Sequence, residues 1–128
     1  MNKVALVGSR DFNDSDLLTQ IMYSLADTED WDNKNVTILC GGARGADAEG
    51  KKFAERHSIA VDMYPANWDD FGKRAGYIRN IEMAKAADFV VALWDGESRG
   101  TKHMIEQSEA MGNKVYVYNY ATGDVHVN

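Results

Sequence analysis

Val36-Thr37-Ile38-Leu39-Cys40-Gly41-Gly42-Ala43-Arg44-Gly45-Ala46-Asp47 is the stretch that decides the fold. A short apolar run rich in β-branched residues stops at two glycines. An arginine and a third glycine follow, and a helix-compatible segment opens at Ala46 and runs to Glu55. Glycines permit backbone angles closed to other residues and let a ligand approach the main chain. A helix beginning just after them aims unpaired N–H groups and the positive end of its dipole at the same point. Arg44 adds a planar, permanently charged fork suited to phosphate. The plain alternative is a strand-to-helix turn whose glycines only relieve strain. The added arginine favours an anion-binding corner at a strand end.

Strands and helices alternate on either side of this corner. Val4-Ala5-Leu6-Val7 is a continuous apolar run, as expected of a strand buried on both faces. It ends at Gly8-Ser9-Arg10-Asp11, and Asn13 or Ser15 is placed to cap a helix with Leu17, Leu18, Ile21, Met22 and Leu25 on its inner face. Asp27 to Asn35 reads as a polar connection, with Trp31 as a packing anchor. Ile59 to Tyr64 reads as a third strand, closed by Pro65. Ala66 to Lys73 then forms a loop long enough to lie over a pocket mouth. A helix is expected over Arg74 to Ala87, a strand over Phe89 to Trp94, and a helix capped by Ser98 or Thr101 and ended by Gly112. Val115 to Tyr118 makes a fifth strand, and Val125 to Val127 suggests a short terminal one. This alternation predicts one α/β domain over residues 1–128. Its three-layer, Rossmann-like architecture holds a five-stranded, mainly parallel sheet in the order 3-2-1-4-5.

Composition narrows the function. A chain of 128 residues with 45% hydrophobic residues can bury a real core, and its formal net charge of −6 disfavours a general nucleic-acid or membrane-surface binder. The single cysteine, Cys40, has no disulfide partner within the chain and reads as a small buried residue. Met1-Asn2-Lys3 leads straight into a strand without a signal-peptide pattern, and no apolar run is long enough to span a bilayer, so a cytoplasmic protein is expected. His57, His103 and His126 show no metal-ligand spacing and are expected to face solvent. No metal and no obligatory cofactor are expected, and a homo-oligomer is compatible with the sequence.

In sheets of the expected order, ligands sit beyond the carboxyl ends of the strands at the switch between strands 1 and 4. Three glycine-and-arginine corners fall at such ends: Gly8-Ser9-Arg10-Asp11, Gly41 to Asp47, and Asp95-Gly96-Glu97-Ser98-Arg99-Gly100-Thr101. Three corners converging on one crevice are harder to ascribe to turn geometry than one. The candidate ligand-binding residues are therefore Gly8, Ser9, Arg10, Gly41, Gly42, Ala43, Arg44, Gly45, Asp47, Arg79, Asn80, Asp95, Ser98, Arg99, Gly100 and Thr101.

Gly8-Ser9-Arg10-Asp11-Phe12, Gly41 to Asp47, Gly76-Tyr77-Ile78-Arg79-Asn80-Ile81-Glu82-Met83 and Ser98-Arg99-Gly100-Thr101 together resemble the YspA-like branch of the SLOG superfamily. That superfamily joins the DNA-processing DprA/SMF proteins with the LONELY GUY (LOG) phosphoribohydrolases. The resemblance implies a Rossmann-like domain that binds nucleotides or derivatives such as ADP-ribose or NAD-like molecules, in a branch found in bacteria and their phages. LOG enzymes carry Pro-Gly-Gly-x-Gly-Thr and, shortly after it, a glutamate used in catalysis. Here Glu97-Ser98-Arg99-Gly100-Thr101-Lys102-His103-Met104 keeps Gly-Thr but lacks Pro-Gly-Gly, and Glu106 falls on a different helix face. The LOG reaction does not carry over on these residues. Asp11, Asp47 and Asp95 remain candidate catalytic carboxylates.

Several residues have two readings. Asp47 either faces away from a phosphate or accepts from a ribose hydroxyl, and Asp95 either holds a ribose or ends its strand as a turn residue. Arg79 and Asn80 anchor the covering loop or touch ligand. Trp68 and Phe71 stack a base or join the core. Three classes of function follow. They are a nucleotide-ligand binder, an N-glycosidic hydrolase or transferase acting on nucleotides, and a DprA-type binder of single-stranded nucleic acid. The acidic charge weighs against the last.

Overall fold

The two strands at the centre are those with unbroken apolar runs. In the computed structural model, which describes residues 2–128, β1 (Asn2–Gly8) lies parallel to β4 (Phe89–Trp94), with Val4 opposite Phe89 and Gly8 opposite Leu93. β2 (Val36–Cys40) flanks β1 on the other side, and β3 (Ala60–Met63) lies outside β2. β5 (Lys114–Asn119) pairs with β4 in parallel. The expected order 3-2-1-4-5 is present, and the sheet has six strands rather than five. β6 (Val125–Val127) adds to β5, antiparallel, giving 3-2-1-4-5-6.

Alternate side chains of the central strands enter opposite layers. Val4, Leu6, Ile38, Val91 and Leu93 face α1 (Ser15–Glu29) and α2 (Ala46–Arg56), where they meet Leu18, Ile21, Leu25 and Phe53. Ala5, Val7, Leu39, Val90 and Ala92 face α4 (Ala75–Ala86) and α5 (Arg99–Ala110), where they meet Met83, Ala84, Met104 and Ile105. Trp31 is buried and packs edge-on against Phe89, as a packing anchor should.

Local details differ from expectation for identifiable reasons. The expected caps Asn13 and Ser15 are both displaced by the residue between them: Asp14 caps α1, because its carboxylate reaches the Leu17 N–H at 3.0 Å. α1 continues through Asp27 to Glu29, into the stretch expected as connection, and closes on Asp30 in a left-handed conformation. The segment Ala66 to Lys73 is not a plain loop. Asn67 caps a short helix, α3 (Trp68–Phe71), and a 3₁₀ turn follows over Gly72–Arg74.

The tightest point of the fold is the carboxyl end of β1. A methyl group added at Gly8 would stand 2.3 Å from the Leu93 carbonyl oxygen and 2.7 Å from the Ala46 side chain. Both neighbours are fixed, one in β4 and one in the first turn of α2. Gly8→Ala should therefore lose roughly 3 kcal/mol by overpacking in a place that cannot relax. Gly100→Ala, with nothing within 4 Å of the new methyl, should be neutral or slightly stabilising. Urea denaturation of the two variants checks the contrast, and equal midpoints would contradict the packing described.

Candidate functional site

Ser9 ties the first corner to the other two. Its N–H donates to the Leu93 carbonyl at 3.0 Å, and its own carbonyl accepts from Phe12 and from Ala46 at the start of α2. Its hydroxyl accepts from the Asp95 N–H at 3.1 Å, and the residue is 2% exposed. The ends of β1 and β4 and the start of α2 are thus held against one another. Gly45, at the N-cap of α2, has φ +82° and ψ −129°, and it lies so close to Ser9 and Arg10 that a side chain would strike their backbone. This cap position supplies no side-chain acceptor, and the Ser9 carbonyl takes the first N–H of α2, that of Ala46, which leaves those of Asp47 and Ala48 without a side-chain cap.

Beyond these strand ends lies a cavity of about 490 Å³, within the range of small-molecule sites. Gly8, Ser9, Arg10, Gly41, Ala43, Arg44, Asp47, Arg79, Asn80, Asp95, Ser98, Gly100 and Thr101 line it, as does Asp11. The three corners therefore converge. Gly42, Gly45 and Arg99 are the candidates that do not line it. Gly42 is an exposed turn residue with φ +79°, Gly45 is consumed by the contact with Ser9 and Arg10, and Arg99 is exposed on the first turn of α5. Trp68, Lys73, Gly76, Tyr77, Met83 and Met104 also contribute to the wall. Trp68 and Lys73 belong to the loop expected over the pocket mouth, and Gly76, Tyr77 and Met83 to a stretch that carries the family resemblance, but of these only Trp68 reads as a possible ligand contact in the sequence. The others sit on helical faces whose direction depends on tertiary packing.

Two candidates have structural duties. The Arg79 guanidinium donates from Nη1 to the carbonyl of Gly41 at 3.0 Å and, more weakly, to that of Tyr64, binding α4 to the ends of β2 and β3. Its Nε donates to the Asn80 side-chain carbonyl. The Asn80 amide in turn donates to the Gly100 carbonyl at 3.1 Å and meets Nδ1 of His103 at 3.3 Å, linking α4 to α5. The anchoring role thus belongs to the end of the sheet and to α5, not to a covering loop.

The carboxylates are held in different ways. Asp47 is 8% exposed and turns back onto its own loop, accepting from the Ala43 N–H at 3.2 Å. Burial raises its pKa above the ordinary carboxylate value, against the opposing effects of Arg79 and the backbone N–H groups. Asp95 Oδ1 accepts from the N–H groups of Ser98 and Glu97 at 2.7 and 2.9 Å, which lowers its pKa and makes it a strand-ending turn residue. Asp11 accepts from the Tyr120 hydroxyl, and Tyr120 stands edge-on to Phe12. Burial, followed by this bond, pushes the Tyr120 phenol up to about 12.

Four cationic side chains, Arg10, Arg44, Lys73 and Arg79, face the cavity with three carboxylates, Asp11, Asp47 and Asp95. A chain of net charge −6 thus lines its cavity with a slight excess of positive charge. Among the described residues, no carboxylate forms an ion pair with Arg10 or Arg44. The described residues also hold no cluster of metal-ligating side chains. Cys40 is fully buried with its thiol pKa pushed up to about 11 by burial, which leaves no reactive thiolate at neutral pH. Two of the histidines depart from the expected solvent exposure. His57 is half-buried between Tyr23 and the Phe53 carbonyl, and His103 is half-buried against Tyr77, while His126 is exposed.

The buried Asp47 has a consequence for stability. Its pKa is higher in the folded chain than in the unfolded one, so folding favours its protonated form. The resulting stabilisation is present in acid and is lost as pH rises through the folded-state pKa. Asp47→Asn should therefore be more stable than wild type at pH 7, with the advantage shrinking as pH falls towards about 4, the ordinary carboxylate range. Thermal melts across that range measure it. A variant that is less stable at pH 7 would show that the ionised carboxylate is required by its loop.

Comparison with known proteins agrees with this fold. The family described as YspA, cpYpsA-related SLOG matches residues 2–71. The Gene 61 protein of Mycobacterium phage D29 is 34% identical over 118 residues, covering 88% of this chain and 92% of that protein. Among solved structures, DNA processing protein A (DprA) of Streptococcus pneumoniae superposes with a TM-score of 0.70 at 19% identity. That match covers 92% of this chain, which spans half of the DprA chain. TM1055 superposes with a TM-score of 0.64 at 21% identity, over 90% of this chain and 72% of that one. Both share the Rossmann-like fold. With its family match and its phage relative, the chain belongs to the YspA, cpYpsA-related SLOG family.

Proposed function

We propose that this protein binds a nucleotide or nucleotide-derived ligand, with a nucleoside phosphate, ADP-ribose and an NAD-like molecule as the chemical range, in the cavity beyond β1, β2 and β4. One observation carries the reading: the first turn of α2, which has no side-chain cap, reaches the cavity wall at Asp47, and Arg10 and Arg44 line the same cavity. The N–H groups of this turn that Ser9 does not take, the helix dipole and two arginines without carboxylate partners among the described residues suit a phosphate. Membership of the SLOG family supports a nucleotide-related role in general. The three carboxylates support binding over glycosidic cleavage, since Asp11, Asp47 and Asp95 each already accept a hydrogen bond from the protein.

Ligand binding to the native state alone should stabilise the protein by about 2.7 kcal/mol at a free concentration a hundred times Kd. Arg44→Ala should weaken binding by roughly tenfold or more, the order of one charge-assisted pair, with little loss of stability in the absence of ligand. Arg44→Lys should recover only part of the affinity, because a point charge lacks the bidentate fork. Thermal shifts of wild type and both variants with AMP, ADP-ribose and NAD test this. Absence of any shift in wild type, or an Arg44→Ala loss that is the same with and without ligand, would overturn the reading.

DprA bears the name of a DNA-processing protein, which makes nucleic acid the natural competitor. The net charge of −6 leaves this chain poorly suited to a phosphate backbone. Filter binding of a labelled single strand near physiological salt should show only weak retention. Tight binding with a steep salt dependence would favour a DprA-like role instead.

A further inference from the structure

Residues 68 to 74 contribute nothing to the core. None of the side chains of α3 or of the 3₁₀ turn after it is buried. The segment is nevertheless built with care, since Asn67 caps α3 through the Asp70 N–H at 3.1 Å and also donates to the Asp70 carboxylate. Four aromatic side chains of the described residues are strongly exposed, and three of them, Trp68, Phe71 and Tyr77, fall in this segment and the first turn of α4. Trp68 is 50% exposed and Tyr77 42%, and both line the cavity. The Trp68 indole lies over Gly76, where an added methyl would only just touch it at 3.5 Å, and Tyr77 comes next in sequence. Tyr77 is in turn backed by the His103 ring, with centroids 4.5 Å apart. Trp68 and Tyr77 thus present aromatic area to the cavity that no part of the protein covers fully.

We propose that Trp68 and Tyr77 form the stacking face for the base of the bound nucleotide, so that the ligand must carry an aromatic ring as well as a phosphate. This inference rests on the nucleotide reading above and specifies its second half. The division of the cavity supports it. Arg10 and Arg44 line the cavity from the loops after β1 and β2, whereas Trp68 and Tyr77 line it from α3 and α4. Asp69 and Asp70 of α3 do not line the cavity, and the charge this segment adds to it is that of Lys73. Stacking tolerates any base, because every base has a π-face, and Tyr77 with its backing His103 gives the ring a rigid floor.

The test compares ligands with and without the ring. Wild type should bind AMP at least tenfold tighter than ribose 5-phosphate, with quenching of tryptophan emission by AMP alone. Trp68→Ala should weaken AMP by about five- to a hundredfold, the range seen for single stacking contacts, and leave ribose 5-phosphate within twofold. Trp68→Phe should restore much of the lost affinity without the quenching. Arg44→Ala should weaken both ligands alike. Circular dichroism of each variant should match wild type, since no core contact is removed. Equal affinities of wild type for AMP and ribose 5-phosphate, or an equal loss of both in Trp68→Ala, would overturn the stacking face while leaving the phosphate corner intact. Failure of wild type to bind either ligand would instead overturn the nucleotide reading, and this inference with it.

Discussion

The close approach at Gly8 is the constraint on which the rest of the structure depends. Here the end of β1, the Leu93 carbonyl of β4 and the first turn of α2 meet with no room for one methyl group. That contact brings the starting residues of α2 to the switch point of the sheet, and Ser9 then locks the arrangement with bonds to Leu93, Ala46 and Asp95. The proposed phosphate corner needs its N–H groups fixed before a ligand arrives, since ordering them on binding would cost affinity. The knot at Gly8 and Ser9 supplies that rigidity from buried backbone. The arginines beside it are left exposed and unpaired by carboxylates among the described residues.

A second layer of support comes from α4. Arg79 and Asn80 are adjacent in sequence, yet one holds the ends of β2 and β3 and the other holds the start of α5. Together they link the second corner to the third across the floor of the cavity. Asp47 adds a local brace by closing its own loop onto Ala43. The cost is a carboxylate kept away from water, which the upward shift of its pKa records.

What was legible in the sequence follows from burial. β1, β2 and β4 are buried on both faces, so their apolar runs, broken only by Thr37 in β2, stand out and end cleanly at Gly8, Gly41 and Asp95. The convergence of the three corners followed from the strand order. What was not legible depended on distance or on small size. Arg79 reaches a carbonyl 38 residues away, which no local pattern encodes. α3 is four residues long and buries nothing, so it has no periodicity to detect, and β6 is three residues long and exposed. Asn13, Asp14 and Ser15 are all good caps, and the choice among them is made only by which side chain reaches the Leu17 N–H. Gly45 read as a ligand residue because a glycine needed for close packing looks the same in sequence as one needed for a phosphate.

The central claim is that the amino end of α2 receives a phosphate. A crystal structure of the protein grown with ADP-ribose tests it most directly. The account predicts a phosphate group against the N–H groups in the first turn of α2 that follow Ala46, with Arg10 and Arg44 closing on it from either side. An ADP-ribose bound with its phosphates elsewhere, or an α2 corner left empty at saturating ligand, would contradict it.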